Sequence, residues 1–335
     1  MIPQSHPLVI KQAWQIELAN TIKDPIDLLA KLGLSGELDA ISPDLIMGFP
    51  LRVPQSYFEK MRYGDKNDPL LRQVFPLIDE AIEQQGFVHD PVGDHNAITS
   101  PGILQKYNGR ALLLTTGACA IHCRYCFRRH FPYSDSNPLA SQWQTTLDAL
   151  KSDLSINEVI FSGGDPLTLS DGKLAALVEQ LDAIAHLKRL RIHTRLPIVI
   201  PSRVDHALLK WISSSRLHVV MVIHSNHANE IGDDVAIALA KLETVGCQLL
   251  NQAVLLKGVN DSAETLVELS ERLSDVKVMP YYLHLLDRVA GASHFDVPEH
   301  DAIELIAQIR AILPGYLVPR LVREQQGEVS KTVIA

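Results

Sequence analysis

The sequence predicts an α/β fold: a partial (β/α)6 barrel, with an N-terminal helical region before it and a short C-terminal tail after it. Three observations predict this. Six strand-like apolar segments recur between residues 110 and 286, with helical patterns between and after them. Strands that alternate with helices pair in parallel, since a parallel pair needs a long crossover. Residues 1–100 differ in texture, with apolar residues at helical rather than alternating spacing.

Taken in order, "WQIELANTIKDPIDLLAKLGL" (14–34) has helical spacing broken at Asp24-Pro25. "YFEKMRYG" (57–64) and "PLLRQVFPLIDEAIEQQ" (69–85) also read as helices. The expected role of residues 1–100 is a helical cap that buries its apolar stripes against a core. "HDPVGDHNAITSPG" (89–102) reads as a loop and marks the boundary. The barrel is expected over 101–313. Its strands are "RALLLTT" (110–116), "NEVIFSGG" (157–164), "RLRIHT" (189–194), "LHVVMVI" (217–223), "CQLLNQAVL" (247–255) and "KVMPYYLHLL" (277–286). Helical patterns lie near 140–152, 171–187, 203–214, 232–245, 262–273 and 298–312. In the second of these, Leu174, Leu177, Val178, Leu181, Ile184 and Ala185 share one face. The tail, 314–335, holds one or two short extended pieces. In such sheets, sites form beyond the carboxyl ends of the strands.

The chain has 335 residues, 46% of them hydrophobic and 21% charged, as in ordinary soluble globular proteins. A net charge of −8 argues against a broad nucleic-acid or anionic-membrane surface. No 18-residue apolar stretch suggests a membrane span. The first twenty residues lack a basic segment, an apolar run and a cleavage site. The expectation is a cytoplasmic protein, with a homo-oligomer left open.

Of four cysteines, three fall within "CAIHCRYCFRRHF" (119–131). Cys119, Cys123 and Cys126 form C-x3-C-x2-C, directly after the first predicted strand. A reducing cytosol favours metal binding or redox chemistry for such a group over a disulfide. Three thiolates on one loop can hold three irons of a cubic 4Fe–4S cluster and leave the fourth iron open. Zinc is the alternative, with His122 or His130 as a fourth ligand. Cys247 lies in an apolar strand pattern and reads as core.

The cysteine motif, with Tyr125 before its last cysteine, resembles that of radical S-adenosylmethionine (SAM) enzymes. "FSGGDPL" (161–167) follows the second strand, where that family has a Gly-rich turn that meets the SAM amino group. This implies cofactor contacts for Gly163, Gly164 and Asp165. Longer blocks narrow the resemblance to the lysine 2,3-aminomutases: "KYNGRALLLTTGACAIHCRYCFRRHF" (106–131), "VVMVIHSNHANE" (219–230), "LLNQAVLLKGVND" (249–261), "MPYYLHLLDRVAGASHF" (279–295) and the closing "GYLVPRLV" and "SK".

The resemblance implies a 4Fe–4S cluster, SAM and pyridoxal 5′-phosphate (PLP) as cofactors. It places the PLP lysine at Lys331, although the linker before it, "QQGEVS", is poorer in glycine than in relatives. Arg110 matches a phosphate-binding arginine, and Lys106 stands where relatives often have another. Arg128 matches the arginine that binds the substrate carboxylate. Asp287 and Glu324 match two acids that bind a side-chain ammonium, and His224 and Gln252 match positions near SAM. The implied reaction converts L-α-lysine to β-lysine with an external one-electron reductant. The chain lacks the additional zinc cysteines of longer catabolic relatives. It resembles the short bacterial form that makes (R)-β-lysine, which a separate ligase attaches to elongation factor P. An aminomutase for another amino acid, such as arginine, and a non-enzymatic metal protein that binds a translation partner are the alternatives.

Overall fold

A computed structural model describes residues 11–36, 48–133 and 143–335. Residues 1–10, and 140–142 of the first expected barrel helix, lie outside the described residues.

One ten-stranded sheet organises the chain, and its strands lie side by side in sequence order. An antiparallel hairpin, β1 (Ile98–Ser100) and β2 (Ile103–Leu104), starts it. β2 pairs antiparallel with β3 (Arg110–Thr116). Then β4 (Glu158–Gly163), β5 (Arg189–Thr194), β6 (His218–Ile223), β7 (Gln248–Val254) and β8 (Met279–His284) follow in parallel. These are the six expected strands. The tail adds β9 (Arg320–Arg323), a seventh parallel strand on β8, and β10 (Thr332–Val333), antiparallel to β9.

The helices follow from local chemistry. α1 (Ala13–Ala19) buries Trp14, and α2 (Pro25–Lys31) begins at the Asp24-Pro25 break, where the Asp24 carboxylate accepts the Ile26 N–H. α3 (Gln55–Phe58) and α4 (Pro69–Arg72) are single turns. The long helix expected over 69–85 is therefore corrected: only 69–72 is α-helical, and Ile78–Ala81 is a 3-10 turn. Pro76 has no N–H and restricts Phe75 before it. The Gln73 carbonyl, moreover, accepts the Arg124 N–H of the cysteine loop.

The barrel helices are α5 (Trp143–Ser152), α6 (Asp171–Asp182), α7 (Leu196–Val199), α8 (His206–Ser214), α9 (Asp233–Thr244), α10 (Ala263–Asp275) and α11 (Glu299–Ile312). α6 buries Leu174, Leu177, Val178 and Leu181 as its spacing requires. Ala185 falls beyond its end and is exposed. Asp205 and Ser262 cap α8 and α10. No described helix is long and apolar enough to cross a membrane.

The strand period decides which residues reach the cavity. On β5, Leu190, Ile192 and Thr194 are buried, while Arg189, Arg191 and His193 face the other side. Parallel register sets Arg110 beside Glu158 and Glu158 beside Arg189, with Leu112, Ile160 and Arg191 one layer further along. Polar inner residues are thereby carried toward the carboxyl end of the sheet.

Candidate active site

A cavity of about 420 Å³ lies there, and Cys119, Cys123 and Cys126 all line it. Their loop leaves β3 and is fastened from two sides. From the N-terminal region, the Arg52 carbonyl accepts the His122 N–H at 3.1 Å. Glu80, fully buried, accepts from Arg124 (2.6 and 2.5 Å) and from Arg129 (2.7 Å). Both guanidinium groups lie 4.9 Å from the Phe49 ring. Arg129 is spent on Glu80 and on the Arg124 and Gly291 carbonyls.

From the barrel side, the Gly-Gly-Asp-Pro turn grips the loop. The Gly164 N–H donates to the Thr116 carbonyl (2.7 Å) and the Asp165 N–H to the Ala118 carbonyl (2.8 Å). A Cβ on Gly164 would stand 2.4 Å from the Ala118 oxygen. Gly163 has φ 122°, which favours glycine, and a Cβ there would meet the Thr116 carbonyl. The Asp165 carboxylate accepts from the Thr194 hydroxyl and the Arg195 N–H, each at 2.7 Å, and from Leu167 and Leu196. Asp165 thus holds the cysteine loop through its N–H and the β5 end through its carboxylate.

The imidazoles offered for zinc are engaged elsewhere. His122 Nδ1 lies 2.8 Å from the Pro50 carbonyl, and His130 Nε2 lies 3.2 Å from the Ala290 carbonyl. Cys247 is buried in the apolar core. Three cavity thiols with no fourth cysteine beside them fit an iron cluster with one open corner. Burial, and then repulsion among neighbouring acidic groups, pushes the Cys119 and Cys126 thiols up, Cys126 to about 11. A bound metal removes those protons.

Away from the cysteines, the tail brings an amine and two acids together. In the terminal hairpin Thr332 faces Arg323 and Val333 faces Val322. One step further sets Lys331 against Glu324, with Nζ 2.6 Å from Oε2. Tyr107 donates to the other Glu324 oxygen at 2.6 Å. Burial would raise Glu324, but Lys331, Tyr107 and Lys106 outweigh it and hold the carboxyl below its usual range. Asp287 lines the same cavity, and its carboxylate has no hydrogen-bond or ion-pair partner among the described residues. Burial pushes it up to about 7 against the pull of Lys331.

Arg128 is fixed by Asp94, whose Oδ2 accepts from Nε at 2.6 Å, and by Ser162 Oγ, 3.0 Å from Nη1. Its Nη2 has no hydrogen-bond partner among the described residues. Lys106 does not stand free for a phosphate. Its Nζ pairs with Asp94 Oδ1 (2.6 Å), donates to the Val92 carbonyl (2.9 Å) and lies 3.5 Å from Glu324. The nearly fully buried Asp94 charge demands this second cation. Arg110, against the Tyr107 ring, lines the cavity with no carboxylate partner among the described residues.

Three histidines complete the inner wall: His193 on β5, His224 just after β6 and His284 at the end of β8. The Nε2 of each is buried without a hydrogen-bond partner among the described residues. Burial lowers all three, His224 to about 4, so they are neutral. Gln252 on β7 lines the same wall. Buried polar atoms are nearly always satisfied, so this row fits a polar ligand such as a nucleoside.

A family model described as the radical SAM superfamily matches residues 113–269. An L-lysine 2,3-aminomutase of Escherichia coli (strain K12) is 47% identical over 96% of this chain and 94% of its own length. The chain belongs to the L-lysine 2,3-aminomutase family. The enzyme of that name from Haemophilus influenzae is 45% identical over all of this chain and 99% of its own. That of Clostridium subterminale is 31% identical over 96% of this chain and 77% of its own. As a member of the lysine 2,3-aminomutase family, the chain is a radical SAM enzyme and an isomerase, and the family implies the 4Fe–4S cluster and SAM.

The candidate site contains residues that sequence reasoning passed over. Asp94 falls in the stretch read as a boundary loop and Glu80 in one read as a helix that buries an apolar stripe, yet they hold Arg128, Arg124 and Arg129. No local pattern marks them, because their partners lie 34 to 49 positions away. His193 and His284 did carry a signal: each sits at the carboxyl end of a strand, facing inward as His224 does.

Proposed function

We propose that this family member converts L-α-lysine to β-lysine, using PLP beside SAM and the 4Fe–4S cluster. One observation carries the reading. The cavity with the three cysteines also holds an arginine edge, an amine and two acids, a charge pattern complementary to an amino acid with a cationic side chain.

When bound, the cluster and SAM supply a carbon-centred radical, and PLP supplies a conjugated ring that spreads the unpaired electron. The chain's own residues bind and orient. Lys331 supplies the amine that holds PLP, and Arg110 suits its phosphate. His193, His224, His284 and Gln252 offer neutral polar groups to SAM, with the turn at Gly163, Gly164 and Asp165 holding the cluster loop beneath. Arg128 presents Nη2 to the substrate carboxylate, held in place by Asp94 and Ser162. Asp287 and Glu324 hold the far ammonium. Two charges fixed at opposite ends leave an extended chain one orientation, which is the main work left to the protein.

The proposed product is (R)-β-lysine, made in the cytoplasm for attachment to elongation factor P by a separate ligase. The likeness to the short form of the family supports this destination. The test is anaerobic reconstitution, with about four irons and four sulfides expected per chain. Incubation with SAM, PLP, dithionite and either lysine or arginine follows. β-Lysine from lysine is the expected product. Turnover of arginine in preference would replace lysine as substrate, and a stoichiometric zinc in place of iron would reject the reaction.

A further inference from the structure

We propose that Arg195 is a positioning residue that sets the reduction potential of the cluster, through its hydrogen bond to Cys123. The inference rests on the reading that the three cysteines hold a 4Fe–4S cluster. Arg195 follows β5 directly, and its Nη1 lies 2.7 Å from Cys123 Sγ. The side chain is 6% exposed and cannot swing away. Its Nη2 donates to Gln73 (2.7 Å), Glu230 (2.8 Å) and the Tyr57 hydroxyl (3.2 Å), while Nη1 also reaches the Tyr125 hydroxyl (3.0 Å). Its own N–H is anchored on Asp165.

The charges sit asymmetrically. Glu230 is the one carboxylate within ion-pair distance of this guanidinium among the described residues, and it is fully buried. It also accepts from the Asn226 and His227 N–H groups and from Gln73. The cation therefore stands between a fixed anion and a cluster sulfur.

Reduction adds one electron from an external low-potential donor such as dithionite. No bond forms or breaks, and the cluster becomes one charge more negative. A buried cation that donates to a cluster sulfur stabilises the reduced form and raises the potential. The opposite anion lowers it. The two residues thus pull in opposite directions, which a merely structural role would not produce.

The test is potentiometric titration of the reconstituted full chain, read by the electron-spin signal of the reduced cluster. At the wild-type midpoint, Arg195→Gln should cut the ratio of reduced to oxidised cluster at least tenfold, a midpoint about 59 mV lower for one electron. Arg195→Lys should fall between. Glu230→Gln should raise the ratio. Unchanged midpoints, or shifts of one sign in both residues, overturn the proposal. Should Arg195→Gln fail to hold iron, Glu230→Gln decides alone, and a midpoint that does not rise refutes the idea. A wild-type chain without iron and sulfide overturns the cluster reading as well, so the two failures are distinct.

Discussion

Lys331 Nζ and Glu324 Oε2 stand 2.6 Å apart across the terminal hairpin. The contact is a matter of register. β10 is pinned on β9, with Ile334 donating to the Leu321 carbonyl and Leu321 to that of Ala335, so the lysine is not a loose terminal charge. The proposed cofactor amine and the proposed ammonium-binding acid are thereby one structural unit.

Lys331→Ala should therefore abolish the visible absorbance that PLP acquires when joined to a lysine. An unchanged spectrum after PLP addition would reassign the cofactor lysine. The fold should survive, because the side chain is partly exposed and leaves the strand pairing intact.

Glu324→Gln removes a charge-assisted contact but keeps the shape. Such contacts are worth about 1.5–3 kcal/mol, so KM for lysine should rise roughly tenfold to a hundredfold. A KM that stays put would exclude Glu324 from the substrate.

Asp287 should make lysine binding depend on pH. With its carboxyl pushed up to about 7, it is neutral below that value and charged above it. Only the charged form pairs with an ammonium, so lysine affinity should improve as pH rises through about 7. Asp287→Asn should bind lysine weakly and flatten the profile, which isothermal titration can follow on either side of that value.

Asp94→Asn should destabilise the chain by about 3 kcal/mol, because two buried cations lose their shared anion. Burial opposes the Asp94 charge, but Arg128 and Lys106 hold its carboxyl down at about 2 from 3.8. The folded value lies below the unfolded one, so this stability is present above about 3.8 and is lost as pH falls toward about 2. Denaturant unfolding of the two proteins at neutral and acid pH reads the difference.

Gly164→Ala should displace the cysteine loop, since the new methyl would meet backbone atoms of Ala118 and Gly117. A cost of about 1–3 kcal/mol is expected for such overpacking. Iron retained after reconstitution should fall below that of the unaltered chain, and full retention would show that the loop tolerates the shift.

By itself the sequence determined the six parallel strands, the helices between them and the position of the cysteine loop. Those features rest on local spacing: period two, period 3.6, and a motif of eight residues. Family resemblance added the lysine, the arginines and the acids. Tertiary structure decided which charges meet. Asp94 reaches Arg128 and Lys106, Glu80 reaches Arg124 and Arg129, and Glu230 reaches Arg195 only because folding removes water from all of them together. A buried charge must find its opposite wherever the chain has brought one, and that choice leaves no periodic trace. The helix expected over 69–85 gave way for a similar reason: the Gln73 carbonyl accepts from the cysteine loop, and Pro76 lacks the N–H that a longer helix requires.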